Sequence, residues 1–406
     1  MALILNPLPW SWTVGRLSRG RLTTQYGRAP RRLYIVTPQP CGPGVKTLDS
    51  SLDSGENIEY IGVALQVSVK GVNRCRDRAS SRERINENIR RISEYTTTAA
   101  SFLRFFYGLP VRLVALPEYA VTGFPMKESV QEWRDRACLE QNGPEYEALG
   151  KLAQANNLFL SGNVYEIDPH FPELYFQTCF IIGPNGNVIL RYRRLTSCFE
   201  PTPHDVWDKY LDIYGEEGIF PVVKTEIGNL GTIASEEILY PEITRCVVMR
   251  GAEVILHPTS EPGSAERTIK ETCRLARAIE NQVFVVSANT ASIDDIPIPP
   301  YTCSAMSKIV DFNGHILAEA AQGGEAFNSN AVMDISALRR TRRRTAMANV
   351  MSRQPFDIYA KSYARADYHQ PNFLLRDGKV VEPPARDAFR RRQEGNIERL
   401  VKAGLL

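Results

Sequence analysis

Short apolar segments alternate with segments of helical periodicity across most of this 406-residue chain, and this alternation constrains the fold more than any other feature. In Arg82–Phe106, for example, Ile85, Ile89 and Ile92 recur at helical spacing. Helices that alternate with short strands and inserted hairpins are typical of an α/β or α+β domain in which helices pack on a mixed sheet. The predicted strands are 58–67, 113–116, 158–165, 175–182, 188–192, 220–225, 230–234, 254–256, 283–288, 307–311 and 316–319. The predicted helices are 82–106, 145–156, 238–250 and 265–281.

The composition is that of a globular protein without the charge of a nucleic-acid binder. Hydrophobic residues make up 43% of the chain and charged residues 23%, and the formal net charge is +3. A dedicated nucleic-acid-binding domain would be strongly basic. No uncharged apolar stretch approaches the ~18 residues of a membrane-spanning helix. We therefore expect no nucleic-acid partner and no membrane association.

Eight cysteines are scattered along the chain without a Cys-X-X-Cys pair, which argues against a structural zinc site. In a chain of this length, such cysteines are typical of free thiols in a reducing compartment. We expect a cytoplasmic protein that carries neither a metal ion nor a cofactor.

Both ends of the chain differ in composition from its middle. Residues 1–48 contain six arginines, one lysine and no acidic residue. An organelle transit peptide has this charge pattern. Prolines and glycines, however, would interrupt the amphipathic helix that such a peptide forms. We therefore favour an arm that lies on the protein surface or contacts another subunit. The predicted organisation is a basic extension at 1–57, one α/β domain at 58–335 and a C-terminal extension at 336–406.

Three predicted strand ends carry side chains suited to catalysis, because α/β enzymes place working residues where strands end. The first is Glu118, for which an exposed turn carboxylate is the alternative interpretation. The second carries Arg191, Arg193 and Arg194. One inward-facing arginine would hold a substrate carboxylate or an oxyanion, whereas a solvated edge strand is the alternative.

The third strand end is Ser235, with Glu236 following it at a strand-to-helix turn. A side chain at such an elbow lies near the backbone donors of a helix N-terminus, which suits a nucleophile. A helix N-cap is the alternative interpretation of Ser235, because serine is a preferred capping residue.

Together, these segments resemble the nitrilase superfamily of carbon–nitrogen hydrolases. The resemblance covers about 58–335, implies a four-layer αββα sandwich, and places Glu118, Arg194 and Ser235 at the family's catalytic Glu, Lys and Cys positions. The segment Glu200–Asp208 also resembles an insertion of amidase-type members. The matching segments are Pro117–Phe124, Tyr192–Arg194, Ser235–Glu242, Arg250–Glu253, Leu256–Ser260, Arg277–Asn281 and Ser307–Ala320.

Two of the three catalytic positions depart from the family pattern. In the mechanism that the resemblance implies, the Glu takes the thiol proton, the thiolate attacks an amide or nitrile carbon, and the Lys stabilises the oxyanion. A serine hydroxyl is a far weaker acid than a thiol, whose pKa is about 8.5, so an isolated carboxylate is a poor base for Ser235. Arg194 keeps a positive charge but cannot give up a proton at neutral pH.

Neighbouring residues offer alternative chemistry. Cys198 is a candidate for a relocated thiol, although its position does not match the family nucleophile. Glu200 or Glu236 would bind substrate, or would join Glu118 as a carboxylate pair that activates water. His257 follows a predicted strand and is a candidate binding residue at the rim of the site, whereas the resemblance favours a structural role.

Two function classes stay open. In the first, the protein is an amidohydrolase that acts on a linear amide or related C–N bond of a small molecule, with Ser235 in the nucleophile position. In the second, it is a catalytically silent homologue that binds a small molecule or a partner. The resemblance predicts that Glu118, Arg194 and Ser235 converge in one pocket. It also implies a homodimer or higher homo-oligomer, and symmetric dimers are the commonest soluble assemblies.

Overall fold

The computed structural model describes residues 57–262, 268–303, 305–366, 368–381 and 386–406. The predicted basic extension, with its transit-peptide and arm interpretations, lies outside them except for residue 57. The strands are β1 Glu59–Ala64, β2 Ser68–Lys70, β3 Val111–Ala115, β4 Leu139–Glu140, β5 Phe159–Ile167, β6 Phe176–Ile182, β7 Val188–Arg193, β8 Val223–Thr225, β9 Gly228–Thr232, β10 Val254–Thr259, β11 Phe284–Asn289, β12 Ser292–Asp294, β13 Lys308–Val310, β14 Ile316–Glu319, β15 Asn330–Asp334, β16 Leu375–Arg376 and β17 Lys379–Val380. The α-helices are α1 Arg78–Tyr107, α2 Val130–Ala137, α3 Pro144–Asn156, α4 Trp207–Tyr214, α5 Pro241–Met249, α6 Ile269–Asn281, α7 Ile335–Arg343, α8 Phe356–Tyr363 and α9 Arg386–Lys402.

Two large mixed sheets form the centre of the described chain. The first has the order β15-β1-β3-β5-β6-β7, with β4 beside β5. Its strands β1, β3 and β5 are parallel, and antiparallel strands complete both edges. The second has the order β14-β13-β11-β10-β9-β8, and here β9, β10 and β11 are parallel. The parallel strands of each sheet end on loops that carry the site described below.

The two sheets pack face to face, and helices cover their outer faces. Tyr60 and Leu113 of the first sheet share one buried cluster with Leu256 and Val286 of the second. Ile61, on the opposite face of β1, belongs instead to the cluster that includes the buried side of α1. Helices α1 and α3 cover the first sheet, and α5 and α6 cover the second. This arrangement is the four-layer αββα sandwich that the resemblance implied.

Helix α1 shows how the sequence pattern produces a layer. Its buried face carries Ile85, Ile89 and Ile92, as the spacing predicts. Each buried isoleucine stabilises the fold by roughly 1.5–3 kcal/mol relative to exposure. The helix begins after Asp77, whose side chain accepts a hydrogen bond from the backbone N–H of Ser80, and it ends at a residue in the left-handed conformation.

The predicted helix 238–250 is wrong at its start. A 3₁₀ turn, Ser235–Leu239, comes first, and α5 begins only at Pro241. Proline lacks a backbone N–H and favours the first helical position, so it starts a new helix instead of continuing the turn. The predicted helix 265–281 is described from Ile269 onward, and most of the strands differ from their predicted bounds by a few residues.

The C-terminal extension packs against the body of the domain instead of standing apart from it. Leu374 and Phe389 share a buried cluster with Phe171 and Tyr210. Arg392 forms an ion pair with Asp205 at the base of this cluster. The domain boundary predicted at 335 therefore stays a sequence-based prediction. No helix in the described ranges combines the length and apolarity needed to cross a membrane.

Candidate active site

Glu118 lies immediately beyond β3 and is only 1% exposed, so the interpretation as an exposed turn carboxylate is wrong. Its Oε1 accepts a hydrogen bond of 2.7 Å from Nε2 of Gln177. Its Oε2 accepts one of 3.0 Å from Oγ of Ser260, which follows β10. One donor from each sheet, Gln177 and Ser260, therefore fixes the Glu118 carboxylate between the two sheets.

Arg194 is the inward-facing member of the arginine cluster. Its Nη1 donates to Oε1 of Gln177 at 2.6 Å and lies 3.6 Å from Oε1 of Glu118. Its Nη2 forms an ion pair with Glu236, and its Nε donates to the carbonyl of Thr196 at 2.6 Å. Gln177 thus bridges Glu118 and Arg194, a role that the sequence analysis missed.

The other two arginines of the cluster have structural partners. Arg191 Nε lies 3.0 Å from a carboxylate oxygen of Glu166, and Arg193 Nη2 lies 2.5 Å from one of Asp168. Both carboxylates are buried, so these pairs anchor the end of β7. That anchoring leaves Arg194 to face the site.

Ser235 forms a backbone elbow after β9, as the first residue of the 3₁₀ turn. Its φ of 46° lies in the left-handed region, which a residue with a side chain adopts only under constraint. Glu237 supplies that constraint, because its carboxylate accepts from the backbone N–H groups of Ala234 and Leu195 and from the Tyr192 hydroxyl. Burial raises the pKa of Glu237 to about 7, although Arg194 acts to lower it.

His257 has a structural role, so its prediction as a binding residue is wrong. Its ring is fully buried, and it is not among the described residues that line the cavity. Its Nε2 lies 2.7 Å from the carbonyl oxygen of Ser235, which accepts only, so this nitrogen carries the proton. Its Nδ1 then accepts from Oγ of Ser287 at 2.8 Å. Burial lowers the pKa of His257 well below its ordinary value, which keeps the ring neutral.

Lys270, which the sequence analysis missed, provides the contact to the Ser235 side chain. Its Nζ donates to Oγ of Ser235 at 3.2 Å and lies 3.5 Å from Oγ1 of Thr259. The N-cap interpretation of Ser235 is wrong, because the residues that precede the 3₁₀ turn and α5 are Ala234 and Tyr240. Burial and nearby positive charge lower the pKa of Lys270 against the opposing effect of Glu118.

A signal for Lys270 was present in the predicted helix 265–281. Lys270, Arg274, Arg277 and Asn281 recur at intervals of three or four residues and lie on one stripe of α6. Three of the four are buried, although a polar stripe ordinarily faces solvent. The core-facing stripe of a helix is ordinarily apolar, so charged and polar residues on that stripe of α6 would have indicated a buried network of charged side chains.

Glu118, Arg194 and Ser235 line one cavity of about 500 Å³. Five of the six predicted site residues line it, and they come from separate segments of the chain. Cys198 also lines it, but burial and Glu236 raise the pKa of its thiol, which disfavours the reactive thiolate. No group of three or more potential ligand side chains in the described ranges is arranged to hold a metal ion. The five predicted site residues that line the cavity are Glu118, Arg194, Glu200, Ser235 and Glu236.

Two side chains of the C-terminal helix complete the cavity wall. Asp387 and Arg390 of α9 both line it. Glu200, which also lines it, is 6% exposed and accepts a hydrogen bond of 3.2 Å from the Tyr165 hydroxyl. The cavity wall therefore carries both acidic and basic groups.

Comparisons with known proteins agree with this architecture. A family model described as carbon-nitrogen hydrolase matches residues 75–343. "Nitrilase homolog 2" of Dictyostelium discoideum is 26% identical over 254 residues, which cover 61% of this chain and 72% of that protein. "Omega-amidase NIT2" of Homo sapiens is 24% identical over 234 residues, which cover 56% of this chain and 79% of that protein.

Two solved structures share the fold. The carbon-nitrogen hydrolase of Helicobacter pylori G27 superposes with a TM-score of 0.55 at 18% identity, covering 76% of this chain and 99% of that one. Nit3 of Saccharomyces cerevisiae, a member of the nitrilase superfamily, superposes with a TM-score of 0.53 at 19% identity, covering 72% and 96%. Since the family model also matches well over half of the 406 residues, the chain belongs to the carbon–nitrogen hydrolase family.

Proposed function

We propose that this protein hydrolyses the C–N bond of a small linear amide, with Ser235 as the attacking group. One observation carries the proposal: Ser235 is held at a left-handed elbow on the wall of an open cavity that Glu118 and Arg194 also line. Constrained backbone of this kind is concentrated at functional sites. The relatives reported above, which include an omega-amidase, support an amide as the substrate class.

The charges around Ser235 suit acyl transfer. The guanidinium of Arg194, fixed by Gln177 and Glu236, supplies a permanent positive potential where negative charge develops on a carbonyl oxygen. Glu118 in turn fixes Gln177. A cavity of about 500 Å³ accommodates a small molecule and not a folded protein chain.

Ammonia release from a panel of short linear amides tests the proposal. The unmodified protein is expected to turn over at least one amide, and Ser235→Ala is expected to lower kcat/KM by at least about 100-fold, because it removes the nucleophile. Ser235→Cys is the matched variant that keeps a nucleophile at the elbow. Equal turnover by the unmodified protein and Ser235→Ala would contradict the proposal.

A second candidate, a catalytically silent homologue that binds a small molecule or a partner, is favoured by a different observation. Both carboxylate oxygens of Glu118 and all three nitrogens of the Arg194 guanidinium already have partners within the protein. Under this candidate, calorimetry would detect binding of an amide with no turnover. Arg194→Met would then weaken binding, and Ser235→Ala would leave it within about twofold.

We also propose a cellular compartment and an oligomeric state for this protein. We infer a reducing, cytoplasmic compartment, and the seven described cysteines, all free thiols, support that inference. We also infer a homo-oligomer, which the family's usual pairing of sheets supports.

A further inference from the structure

We propose that Lys270 is the general base of this site and acts with Ser235 as a serine–lysine pair. The inference rests on the proposed function and adds a catalytic residue to it. The observation that carries it is the 3.2 Å contact between Lys270 Nζ and Ser235 Oγ, which is hydrogen-bond distance. Serine–lysine pairs perform nucleophilic catalysis on unrelated folds, where the amine replaces the more familiar histidine.

Other titratable groups near Ser235 have hydrogen-bond partners of their own. Glu118 accepts hydrogen bonds on both oxygens, from Gln177 and Ser260. The His257 ring donates to the carbonyl oxygen of Ser235 and is thereby held away from the Oγ. Among the described residues, Lys270 is therefore the candidate base, because its Nζ contacts the Ser235 hydroxyl.

Rigid contacts aim Lys270 at the elbow. Its helix, α6, begins after Thr268, whose side chain accepts from the backbone N–H of Glu271. One turn further on, the buried Arg274 pairs with Glu261 at 2.6 Å and with Glu271. This network fixes the first turn of α6 against the loop that follows β10. Small deviations cost catalysis heavily, so an anchored turn suits a base.

The surroundings also favour the neutral amine that a base requires. The side chain lies in the first turn of α6, where the helix dipole disfavours a cation. Partial burial and the nearby Arg274 lower the pKa of Lys270, and Glu118 and Glu261 oppose them without reversing the shift. A lowered pKa increases the share of the amine that is neutral and able to accept a proton.

The reaction balances with water as the only co-substrate. As Ser235 Oγ bonds to the amide carbon, its proton moves to Lys270 Nζ, and the carbonyl π pair moves to oxygen beside Arg194. The tetrahedral species collapses, the C–N bond breaks, and the ammonium of Lys270 gives its proton to the departing nitrogen. Water then attacks the ester while Lys270 takes its proton. Release of the acid returns that proton to Ser235 Oγ.

Labelling with a fluorophosphonate tests the pair without knowledge of the natural substrate, since this probe phosphonylates activated serines. The unmodified protein is expected to carry the label on Ser235, and Ser235→Ala is expected to lose it. Lys270→Met and Lys270→Arg should each slow labelling by at least about 100-fold, because neither side chain accepts a proton at neutral pH. Lys224→Met, on an exposed residue of β8, is the matched control and should label at the unmodified rate.

The pH dependence separates a base from a structural lysine. The labelling rate should rise with pH through an apparent pKa below the ordinary lysine value of about 10.4. Thermal melting of Lys270→Met and Lys270→Arg establishes that each variant is folded, and one folded variant suffices. If either folded variant is labelled at the rate of the unmodified protein, the inference is overturned. It is also overturned if the unmodified protein takes up no label. Loss of labelling in Glu118→Gln but not in Lys270→Met would assign the proton to Glu118 instead.

The outcomes distinguish this inference from the proposed function. Amide turnover that requires Ser235 but is unchanged in Lys270→Met would overturn the inference alone. Labelling that depends on Lys270, in a protein that hydrolyses no amide of the panel, would overturn the proposed substrate class alone.

Discussion

At the scale of single residues, Arg194 and Ser235, which the sequence resemblance matches to a lysine and a cysteine, have different consequences. Arg194 carries a positive charge and is fixed by Gln177, Glu236 and a backbone carbonyl. Ser235 lies at a left-handed elbow, and its hydroxyl is a much weaker acid than a thiol. The loss of acidity therefore requires help from a neighbour, and Lys270 is placed to give it.

Ser235→Cys should create an unusually reactive thiol. Lys270 and Arg194 lie beside position 235, and nearby positive charge lowers the pKa of a cysteine. We expect position 235 to react with iodoacetamide at pH ~7 at least about tenfold faster than Cys198, the native cysteine in the same cavity. Peptide mapping by mass spectrometry measures both rates in one sample. A slower reaction at position 235 than at Cys198 would mean that the charges do not act on the elbow.

His257 should make the protein less stable in mild acid. Its pKa is lowered in the folded state, so the unfolded chain takes up a proton first as the pH falls below about 6.5. The stability is therefore present above that pH and is lost below it. His257→Gln, which keeps a donor and does not titrate, should show a shallower loss of unfolding free energy between about pH 7 and pH 5. Identical slopes in urea titrations would contradict the neutral buried ring.

At the scale of elements, the 3₁₀ turn after β9 determines the position of Ser235. Glu237, within this turn, joins its backbone to the end of β7 through Leu195 and Tyr192. The two sheets are therefore linked next to the site. These hydrogen bonds hold the turn that carries Ser235 beside the end of β7, next to Arg194.

Glu237→Ala should destabilise the protein and distort the elbow. It leaves the buried N–H of Ala234 and the partly buried N–H of Leu195 without their acceptor, at a cost of roughly 3 kcal/mol in unfolding free energy. Tyr192→Phe removes one donor from the same carboxylate and should cost only about 1 kcal/mol. Denaturant titrations compare the two. Similar losses would show that the carboxylate does not hold the turn.

The sequence predicted some elements and site residues and missed others, because only local patterns are visible in a single sequence. Local periodicity located α1 and the hairpin strands, and three motifs located Glu118, Arg194 and Ser235. Gln177 was missed because its role depends on a sheet pairing that sets it beside Arg194. Long-range contacts of this kind leave no local pattern in a single sequence.

At the scale of the whole molecule, the C-terminal extension is part of the cavity wall. Asp387 and Arg390 of α9 face the site, and Phe389 between them is buried in a separate cluster. Arg392, one turn further along, pairs with Asp205. A segment about 150 residues beyond Ser235 thus lines the cavity, which no motif near the strand ends predicts.

Phe389→Ala should loosen this wall. The substitution removes a buried ring that holds α9 against the domain, so we expect KM to rise about three- to tenfold while kcat changes by less than about twofold. Ile397→Ala, at an exposed position of the same helix, is the control and should leave both constants unchanged. A lower kcat with an unchanged KM would place α9 in the chemical step instead of the wall.

The protein should also be at least a homodimer. Members of this family pair their sandwiches, and symmetric dimers are the commonest soluble assemblies. Sedimentation velocity at micromolar concentration is expected to give at least twice the monomer mass of 45.7 kDa. A single species at the monomer mass would contradict this expectation.

The most direct test of a serine nucleophile is to find the acyl group that it should carry. A short linear amide with a p-nitroaniline leaving group is mixed with the protein, the reaction is stopped with acid, and the digested protein is examined by mass spectrometry. The account predicts the mass of the acyl group on the peptide that contains Ser235, and none on that peptide in Ser235→Ala. Turnover with the acyl group on Cys198, or with no acylated residue at all, would contradict it.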